Sequence, residues 1–430
     1  MPSGPGHGTC PGVSVGRVPE ADLDSSRRAT FPLGAAVTVA ELSRNPHPVL
    51  RHLRESEPVS WLPALGGWLV TQADLAEAVL RDGRTFTVDD PRFTTARVVG
   101  PSMLSLDGDR HRRHREPFAR ALRAAPNRAR LADAAAAHSA RLIADIAAQD
   151  GTAELRRGLA GQLAVAVMAE MLGLDVPPGQ LLAWYDAIVA GVSSLAEATP
   201  QAEATPQAED GGRVGDAVPQ AAADAFAELS TCVETALRRR DDQSVLTAAA
   251  DDLTVREIVS NAAVLLFGGI ETTEGMICNA IWYLLGDLPA LAHVRAAPAL
   301  TEAAVEESLR LEPAAAVVDR FATRDVGLGG AAIWRGDLVT VSLAGANRDP
   351  AVFAEPDRFD LHRPSGRQHL AFAIGPHFCV GAQLARLEAN AALAAVLDNL
   401  PGVRLDPGQP SAPRGLVFRK PPSLHVRWDV

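Results

Sequence analysis

One cysteine lies in a loop whose residue types suit a chemical role. Cys379 is part of the stretch Phe372-Ala-Ile-Gly-Pro-His377-Phe-Cys379-Val-Gly381, in which two glycines bracket the cysteine. Glycine lets a backbone turn tightly and approach a flat partner closely. A helix predicted to begin directly after Cys379 would bring free backbone N–H groups near its sulfur, and these favour a thiolate over a thiol. A thiolate in such a loop suits an axial ligand to haem iron.

Two other interpretations of this cysteine start from the same residues. A lone cysteine is more often a buried structural side chain than a ligand. A cysteine protease would need a base, for which His377 is the nearest candidate in the sequence. A separation of two residues is too short and too constrained for a Cys–His pair, and no oxyanion-binding segment is evident. The choice between a structural cysteine and a ligand therefore depends on the rest of the chain.

A second group of residues lies in the middle of a long apolar stretch that is predicted to be helical. It reads Gly268-Gly-Ile-Glu271-Thr272-Thr273. Each glycine would cost a helix about 1 kcal/mol relative to alanine, so a packing or functional reason is expected. Taken alone, these residues are more typical of a kink and a solvated face than of a site.

The loop around Cys379 resembles the haem-binding signature of the cytochrome P450 family, and further motifs follow in that family's order over residues 38 to 430. The resemblance implies a mainly α fold with a minor β region around a buried haem b, iron protoporphyrin IX. It also implies that Cys379 binds the iron through its thiolate, with Phe372, His377 and Gly381 beside the haem.

The same resemblance gives the glycine-rich helix a role in oxygen activation. Gly268 would leave room for O2 above the iron, and Glu271 with Thr272 would form an acid–alcohol pair that relays protons. A hydroxyl backed by a solvent-connected carboxylate can supply a proton where negative charge develops on oxygen. Alongside the cysteine loop, these residues favour a functional interpretation.

Haem carries two propionates, which need basic partners. His111 and Arg115 are four residues apart on one predicted helix face and resemble the family's propionate clamp, and Arg320 and His377 resemble its other propionate contacts. Arginine suits this task because its planar guanidinium pairs with a carboxylate through two hydrogen bonds. The resemblance therefore assigns these four side chains to haem binding.

Two further sets of residues are assigned by the resemblance. Glu307 and Arg310 match the ExxR motif, and Arg358 matches its third partner in an ion network that braces the cysteine loop.

Positions that match the walls of the substrate pocket are largely apolar, which favours a bulky apolar organic substrate. These positions are Val264, Phe267, Ala316, Val317, Leu416 and Val417.

The pattern of elements agrees with one mainly helical domain at 36–430. Helical periodicity far outweighs strand patterns, and the strands form scattered pairs instead of an alternating βαβ series, which argues against a doubly wound sheet. Residues 1–35 are predicted to be a flexible tail. The segment at 197–220, in which Glu-Ala-Thr-Pro-Gln-Ala occurs twice in succession, is predicted to be a mobile loop because it has little to bury.

Composition excludes several classes of protein. The net charge of −11 argues against general nucleic-acid binding. The four cysteines contain no CxxC pair, which argues against a disulfide framework or a zinc cluster. No apolar signal segment is visible near the N-terminus, and the apolar stretch at 261–286 carries Glu271 and Glu274, which makes it a poor membrane span. We therefore expect a cytoplasmic protein, and we expect it to be a monomer. Lys420 is the only lysine, which suggests a bacterial genome of high GC content.

The expected activity is a monooxygenase of bacterial secondary metabolism. No flavin or iron–sulfur segment is visible, so the resemblance implies electrons from NAD(P)H by way of a ferredoxin and a ferredoxin reductase. The exposed arginines 110, 112, 120 and 123 would steer an acidic electron-transfer partner. Two alternatives stay open: a peroxygenase, which would typically lack the acid–alcohol pair, and a non-catalytic recruitment domain, which would be expected to lose that pair or the thiolate loop.

Overall fold

The structure is a computed structural model of the 430-residue chain, and it describes residues 20–198, 218–239, 244–364 and 366–430. The first part of the predicted tail, residues 1–19, lies outside the described residues, as does most of the predicted loop at 197–220. The described part of the chain is mainly helical with a minor β region, which confirms the predicted fold class.

Sixteen α-helices occur among the described residues. They are α1 (Glu20–Thr30), α2 (Pro32–Ala36), α3 (Val39–Arg44), α4 (His47–Ser56), α5 (Ala73–Arg81), α6 (Thr94–Val99), α7 (Gly108–Arg123), α8 (Ala125–Ala147), α9 (Gly161–Leu172), α10 (Pro178–Ala198), α11 (Gln220–Arg239), α12 (Val255–Gly286), α13 (Leu288–Ala296), α14 (Thr301–Leu311), α15 (Leu343–Ala346) and α16 (Ala382–Asn399).

Ten short strands are found in the same described ranges. They are β1 (Val59–Leu62), β2 (Gly67–Val70), β3 (Phe86–Thr87), β4 (Thr152–Glu154), β5 (Val317–Ala322), β6 (Val326–Leu328), β7 (Ala331–Ile333), β8 (Leu338–Ser342), β9 (Arg404–Leu405) and β10 (His425–Arg427).

The strands form one main sheet and two small ones. The main sheet has the order β1-β2-β8-β5-β3, in which only β2 and β8 run parallel. The hairpin β1–β2 pairs Trp61 with Trp68 across a turn that contains Gly66 in the left-handed region, at φ 61°. The two small sheets have the orders β4-β10-β9 and β6-β7.

The long helix α12 runs through the largest core of the protein. Thr254 and Glu257 form a capping box at its start, in which each side chain accepts a hydrogen bond from the backbone N–H of the other residue. This capping box stabilises the first turn of the helix, which contains β-branched residues. Most of its 32 residues are buried, packed against α9, α14 and α16. The packing fixes the face of α12 that carries Gly268, Glu271 and Thr272.

Residues 20–35 of the predicted flexible tail are largely helical, and they dock on the hairpin. The guanidinium of Arg27 lies 4.3 Å from the centroid of the Trp61 ring and 2.6 Å from the Asp337 carboxylate. The Trp61 indole N–H donates to Asp24 at 2.7 Å. Composition alone did not predict this docking because its partners lie far away in the sequence.

Length and hydropathy give no single membrane-spanning helix among the described residues. Only α12 and α13 taken together meet the length and composition of a span, and they are bent by 101° at the break between them.

Candidate functional site

The loop before α16 holds Cys379 in a fixed place. Its backbone N–H donates to the Phe372 carbonyl at 2.9 Å, which closes the loop. Gly375 has φ +74°, and a Cβ added there would lie 2.5 Å from the carbonyl oxygen of Leu80, so both conformation and packing require glycine. A Cβ added at Gly381 would meet no atom within 4 Å. The backbone at Gly381 thus borders open space next to the sulfur.

Opposing effects act on the Cys379 thiol. Burial raises its pKa, while the Gly381 N–H and the guanidinium groups of Arg115 and Arg386 act to lower it, and burial prevails. Helix α16 does begin just after Cys379, as the sequence predicts, but the effect of that helix start does not offset desolvation. A positive ion at the sulfur would favour the thiolate, because a coordinating thiol is deprotonated by its metal.

Two of the four predicted propionate partners form a close pair of rings that are tilted by 40°. The rings of His111, on α7, and His377 lie 4.2 Å apart between centroids. His377 Nε2 is 2.8 Å from the Asp107 carboxylate, whereas Nε2 of the buried His111 has no hydrogen-bond partner. Burial, aided by the nearby His377 and Arg115, lowers the pKa of His111 to about 4. His111 therefore offers an unused nitrogen in a buried place, where an unpaired polar atom is costly.

Arg320 is a buried cation without a matching anion. Its side chain lies on β5, it is 5% exposed, and its Nη1 donates to the Asp319 carbonyl at 2.7 Å. Within the described ranges no carboxylate lies within ion-pair distance of Arg320. A buried charge is costly unless it is paired, so this position fits an anionic ligand group. Arg115 donates to the Phe378 carbonyl and completes the basic set beside Cys379.

The donor set fits a haem. A thiol, a bordering open space and basic side chains with spare hydrogen-bonding capacity match an iron, a flat ring and two propionates. The charges of Arg115 and Arg320 both act on His377, and those of Arg115 and His377 act on His111, so the four predicted residues lie near one another. Sequence reasoning thus brought together side chains from α7, β5 and the cysteine loop.

The two glycines of α12 differ in their surroundings. A Cβ added at Gly268 would meet nothing within 4 Å, whereas one added at Gly269 would lie 2.3 Å from Sδ of Met168. Open space is thus found at Gly268, whereas Gly269 allows close packing of α12 on α9. Thr272 Oγ1 donates to the Gly268 carbonyl at 2.5 Å, one turn back along the helix.

Glu271 has partners that sequence reasoning missed. Its Oε1 lies 2.7 Å from Nζ of Lys420, and its Oε2 accepts a hydrogen bond from the hydroxyl of Tyr185 on α10. Burial acts to raise the pKa of Glu271, but the opposing effects of Lys420 and Tyr185 prevail and lower it. The one sequence signal for Lys420 is that it is the only lysine in the chain.

The ion network at the end of α14 differs from the prediction in its third member. Arg310 binds Glu307 through two hydrogen bonds of 2.8 and 2.7 Å, and Arg363 adds a third at 2.9 Å. The predicted partner, Arg358, is wrong as a side-chain contact, because its side chain is 63% exposed and pairs with Glu355. Only its backbone carbonyl contributes, accepting from Arg310 at 3.0 Å.

A second ionic cluster, also on α14, involves residues of the segment around Cys379, and sequence reasoning missed it. Glu306 accepts from Arg386 of α16, with Nη2 at 3.1 Å, and lies 3.0 Å from Nε2 of His369. Burial would raise the pKa of Glu306, but these two partners lower it to about 2. The Arg386 guanidinium also lies 4.4 Å from the centroid of the Phe372 ring.

The predicted pocket positions divide into two groups. Val264 is buried in the main core, and the Phe267 ring meets the Phe418 ring edge-on at 5.4 Å, which joins α12 to the C-terminal segment. Ala316 and Leu416 instead pack in the cluster that α3 and α4 form with the hairpin. The remaining positions are Val317, on β5, and Val417, which is exposed and accepts a backbone hydrogen bond from Ala316 at 2.8 Å.

Comparison with known proteins identifies the family. A family model described as Cytochrome P450 matches residues 33–424. The chain is 34% identical to cytochrome P450 monooxygenase PikC of Streptomyces venezuelae, over 90% of this chain and 92% of that protein. It is 33% identical to mycinamicin IV hydroxylase/epoxidase of Micromonospora griseorubida, over 87% of this chain and 94% of that protein.

Solved structures agree with this assignment. The crystal structure of CYP109E1 from Bacillus megaterium in complex with corticosterone superposes with a TM-score of 0.76 at 25% identity, covering 90% of this chain and 99% of that one. The predicted cytochrome P450 fold is thereby confirmed. The chain belongs to the cytochrome P450 family, and it is a monooxygenase of that family whose cofactor is haem b.

Proposed function

We propose that this enzyme inserts one atom of O2 into an apolar organic substrate, with electrons that come from NAD(P)H through a ferredoxin and a ferredoxin reductase. The observation that carries the proposal is open space at two predicted positions, beside Cys379 at Gly381 and one turn from Thr272 at Gly268, together with basic side chains that have spare hydrogen-bonding capacity. A peroxygenase has less support, because it has no need of a carboxylate held beside a threonine.

Each residue that the resemblance assigns to haem binding has a proposed role. Cys379 would bind the iron, with Phe372 and Gly381 along the ring, and when bound the haem supplies the oxygen-activating chemistry. His111 and Arg320 would bind the propionates. The free Nε2 of His111 and the guanidinium of Arg320 would each form a hydrogen bond to a propionate oxygen. Arg115 and His377 would complete that contact.

Proton transfer would use the helix α12. The Thr272 hydroxyl, bonded to the Gly268 carbonyl in this structure, lies one turn from the open space at Gly268. On turning from that carbonyl, the Thr272 hydroxyl would give its proton toward the open space. Glu271, after taking up a proton from solvent, would pass that proton on to the threonine oxygen and return to the carboxylate. A positioned acid–base pair of this kind contributes about 100- to 10,000-fold to a rate.

The substrate we propose is a bulky apolar molecule. The relative from Micromonospora is a hydroxylase/epoxidase of mycinamicin IV, and the solved relative from Bacillus megaterium binds corticosterone. In this chain Val264, Phe267 and Phe418 add apolar surface beside Gly268 on α12 and in the C-terminal segment. These observations favour a product of bacterial secondary metabolism as the substrate.

The partner we propose is a ferredoxin that docks beside the cysteine loop. A cavity of about 840 Å³ opens there, lined by Arg81, Arg367, Arg386 and the exposed Phe378 among others. The arginines of α7 and those of the cavity alike have acidic neighbours, so the positive charge of both groups is partly offset. On α7, Arg110 has Asp89, Arg112 has Asp109, Arg120 has Asp252 and Arg123 has Glu116, and at the cavity Arg81 has Glu77, Arg367 has Glu302 and Arg386 has Glu306. A soluble partner of this kind would place the reaction in the cytoplasm, with the enzyme as a monomer.

Two measurements test the proposal. The reduced protein under CO should have the red-shifted Soret band of a thiolate-ligated haem, and Cys379→Ser should lose that band while keeping bound haem. Product should form with NADPH, ferredoxin and reductase, and Thr272→Ala should divert electrons to hydrogen peroxide. Turnover with peroxide alone, at a rate that Thr272→Ala leaves unchanged, would favour a peroxygenase instead.

A further inference from the structure

The only lysine of the chain is buried between two carboxylates. Lys420 Nζ lies 2.7 Å from Oε1 of Glu271 and 2.6 Å from Oε2 of Glu274, and its side chain is 11% exposed. Glu271 and Glu274 lie three residues apart on α12, so both carboxylates project from the same side of the helix. Forty of the 41 lysine and arginine residues are arginine, yet lysine occupies this bridging position. A compact ammonium with three donors can bind two separate carboxylates at once.

The backbone of Lys420 is fixed on both sides. Its N–H donates to the Arg414 carbonyl at 3.2 Å, and its own carbonyl accepts from the Arg414 N–H at 3.0 Å. The preceding carbonyl, of Arg419, accepts from the Asn279 side chain of α12 at 3.0 Å. The C-terminal segment is thus tied to the same helix that carries Glu271. The ammonium reaches the two carboxylates from a rigid support.

The two carboxylates differ in their other partners. Glu274 is fully buried and also lies 3.0 Å from Nε of Arg156 and 3.7 Å from Nε of Arg157, so it has three cations near it. Glu271 has Lys420 on one oxygen and the Tyr185 hydroxyl on the other. Lys420 is therefore the one cation within ion-pair distance of Glu271 in the described part of the chain, whereas Glu274 would keep a guanidinium without it.

We propose that Lys420 is a positioning residue for proton delivery. Its ammonium group, anchored by Glu274, holds Glu271 as an oriented carboxylate beside Thr272. The inference rests on the proposed function, because it concerns the source of the proton for Thr272. With Lys420 and Tyr185 each on one oxygen, the carboxylate of Glu271 has a single orientation. Loss of Lys420 frees one oxygen and leaves the carboxylate with a neutral partner only.

Loss of Lys420 also changes the charge state of Glu271. Burial raises the pKa of this carboxyl, and the charge and hydrogen bond of Lys420 are the main effects that oppose it. Without the ammonium we expect the pKa of Glu271 to rise. The ionisable and charged groups that face Lys420 or its two carboxylates are Tyr185, Arg156, Arg157, Cys278 and Glu154.

The test compares three substitutions with a matched control. Lys420→Met removes the ammonium, Lys420→Arg restores a cation, and Lys420→Met with Glu274→Gln removes the ammonium and the anchoring charge together, for the case that Lys420→Met alone does not fold. Arg427→Met is the control, since Arg427 lies in the same C-terminal segment and its ion pair is with Asp406, which is not on α12. Glu271→Gln assigns the signals of Glu271.

Two spectroscopic measurements on the haem-loaded protein report on Lys420 itself. A single lysine gives a single ¹⁵Nζ signal in the ferrous CO-bound protein, and we expect it to be protected from exchange and to shift in Glu271→Gln. The carboxylate infrared band assigned to Glu271 should titrate at higher pH in Lys420→Met than in the wild type. A ¹⁵Nζ signal like that of a free lysine, or an unchanged titration, would overturn the inference.

Coupling of electrons to product provides the third measurement. Lys420→Met and the double variant should release several-fold more peroxide per NADPH, with a pH profile displaced toward higher pH, and Lys420→Arg should recover part of the loss. A wild type that oxidises its substrate with ferredoxin, beside a Lys420→Met variant with the same coupling and pH profile, contradicts the inference. A wild type without ferredoxin-driven turnover contradicts the proposed function instead, and the infrared titration still decides whether Lys420 sets the ionisation of Glu271.

Discussion

Two groups of basic side chains, one at the end of α14 and one near α7, have their hydrogen-bonding capacity satisfied to different degrees. In the network at α14, Arg310 and Arg363 bind Glu307, and the remaining donors reach backbone carbonyls. In the group near α7, the buried His111 has an unused nitrogen and Arg320 has a backbone carbonyl only. A network completed within the chain stabilises the fold, whereas an incomplete one marks where a ligand fits.

The largest effect should come from breaking the completed network. Glu307→Gln leaves two buried guanidinium groups without their carboxylate, so we expect a loss of about 3–5 kcal/mol in the free energy of unfolding. Arg358→Ala, the matched change at the residue whose side chain faces solvent, should alter it by no more than about 0.5 kcal/mol. Urea unfolding of the haem-loaded protein measures both. Equal losses in the two variants would contradict the assignment of Arg363 as the third member.

The Glu306 cluster should make stability depend on acid. Because its pKa is lowered to about 2 from 4.5, this carboxylate contributes its full stability above pH 4.5 and loses it as the pH falls toward 2. The shift corresponds to a contribution of about 3 kcal/mol at neutral pH. Glu306→Gln should therefore be less stable at pH 7 and approach the wild type near pH 2. Parallel stability curves from pH 7 to pH 2 would show that Glu306 does not titrate in this way.

Removal of an unpaired base should affect the ligand more than the fold. Arg320→Leu takes away a buried charge that forms no ion pair with a carboxylate in the described chain, so the haem-free protein should lose little stability. Transfer of haem to an acceptor protein should become about 10- to 100-fold faster, which corresponds to a lost charged hydrogen bond of about 1.5–3 kcal/mol. Arg324→Leu is the control, since Arg324 binds Thr85 at the exposed end of the same strand. Equal rates of haem transfer in the two variants would mean that Arg320 serves the sheet alone.

The smallest effect distinguishes the two glycines of α12. Gly268→Ala meets no neighbour and should gain up to about 1 kcal/mol from helix propensity, while it slows turnover by filling the open space. Gly269→Ala needs Met168 to move, and strain of about 1–3 kcal/mol offsets that gain. Thermal unfolding together with the rate of product formation separates the two. A Gly268→Ala enzyme of unchanged rate would mean that the space does not serve O2.

Sequence spacing predicted the parts of the site that lie within one element. The bracketed cysteine, the His111–Arg115 pair at helical spacing and the Glu271–Thr272 pair can each be found in a short window. Residues that act from a distant segment could not be found this way. Lys420 reaches Glu271 from the C-terminal segment, and Arg363 reaches Glu307 across 56 residues.

The direction of a side chain in a turn was also beyond the sequence. Arg358 follows Glu355, whose φ of +46° sets a tight turn in which the Arg358 carbonyl, and not its guanidinium, faces Arg310. The family motif correctly indicated that Arg358 contacts Arg310, but the contact is made by the backbone carbonyl of Arg358 and not by its side chain. Docking of α1 was missed for a related reason, since aromatic partners for Arg27 are visible only once the hairpin has folded.

The contact of Arg27 with the tryptophan hairpin bears on how the protein is best shortened for expression. Residues up to 35 look dispensable by composition, but α1 covers Trp61 and Trp68, and Phe31 meets the Trp68 ring edge-on at 5.1 Å. A chain begun after this helix would uncover two aromatic rings and leave Asp337 without its arginine. Shortened proteins that begin at or before Glu20 should remain free of aggregates at concentrations where proteins that begin at residue 36 aggregate.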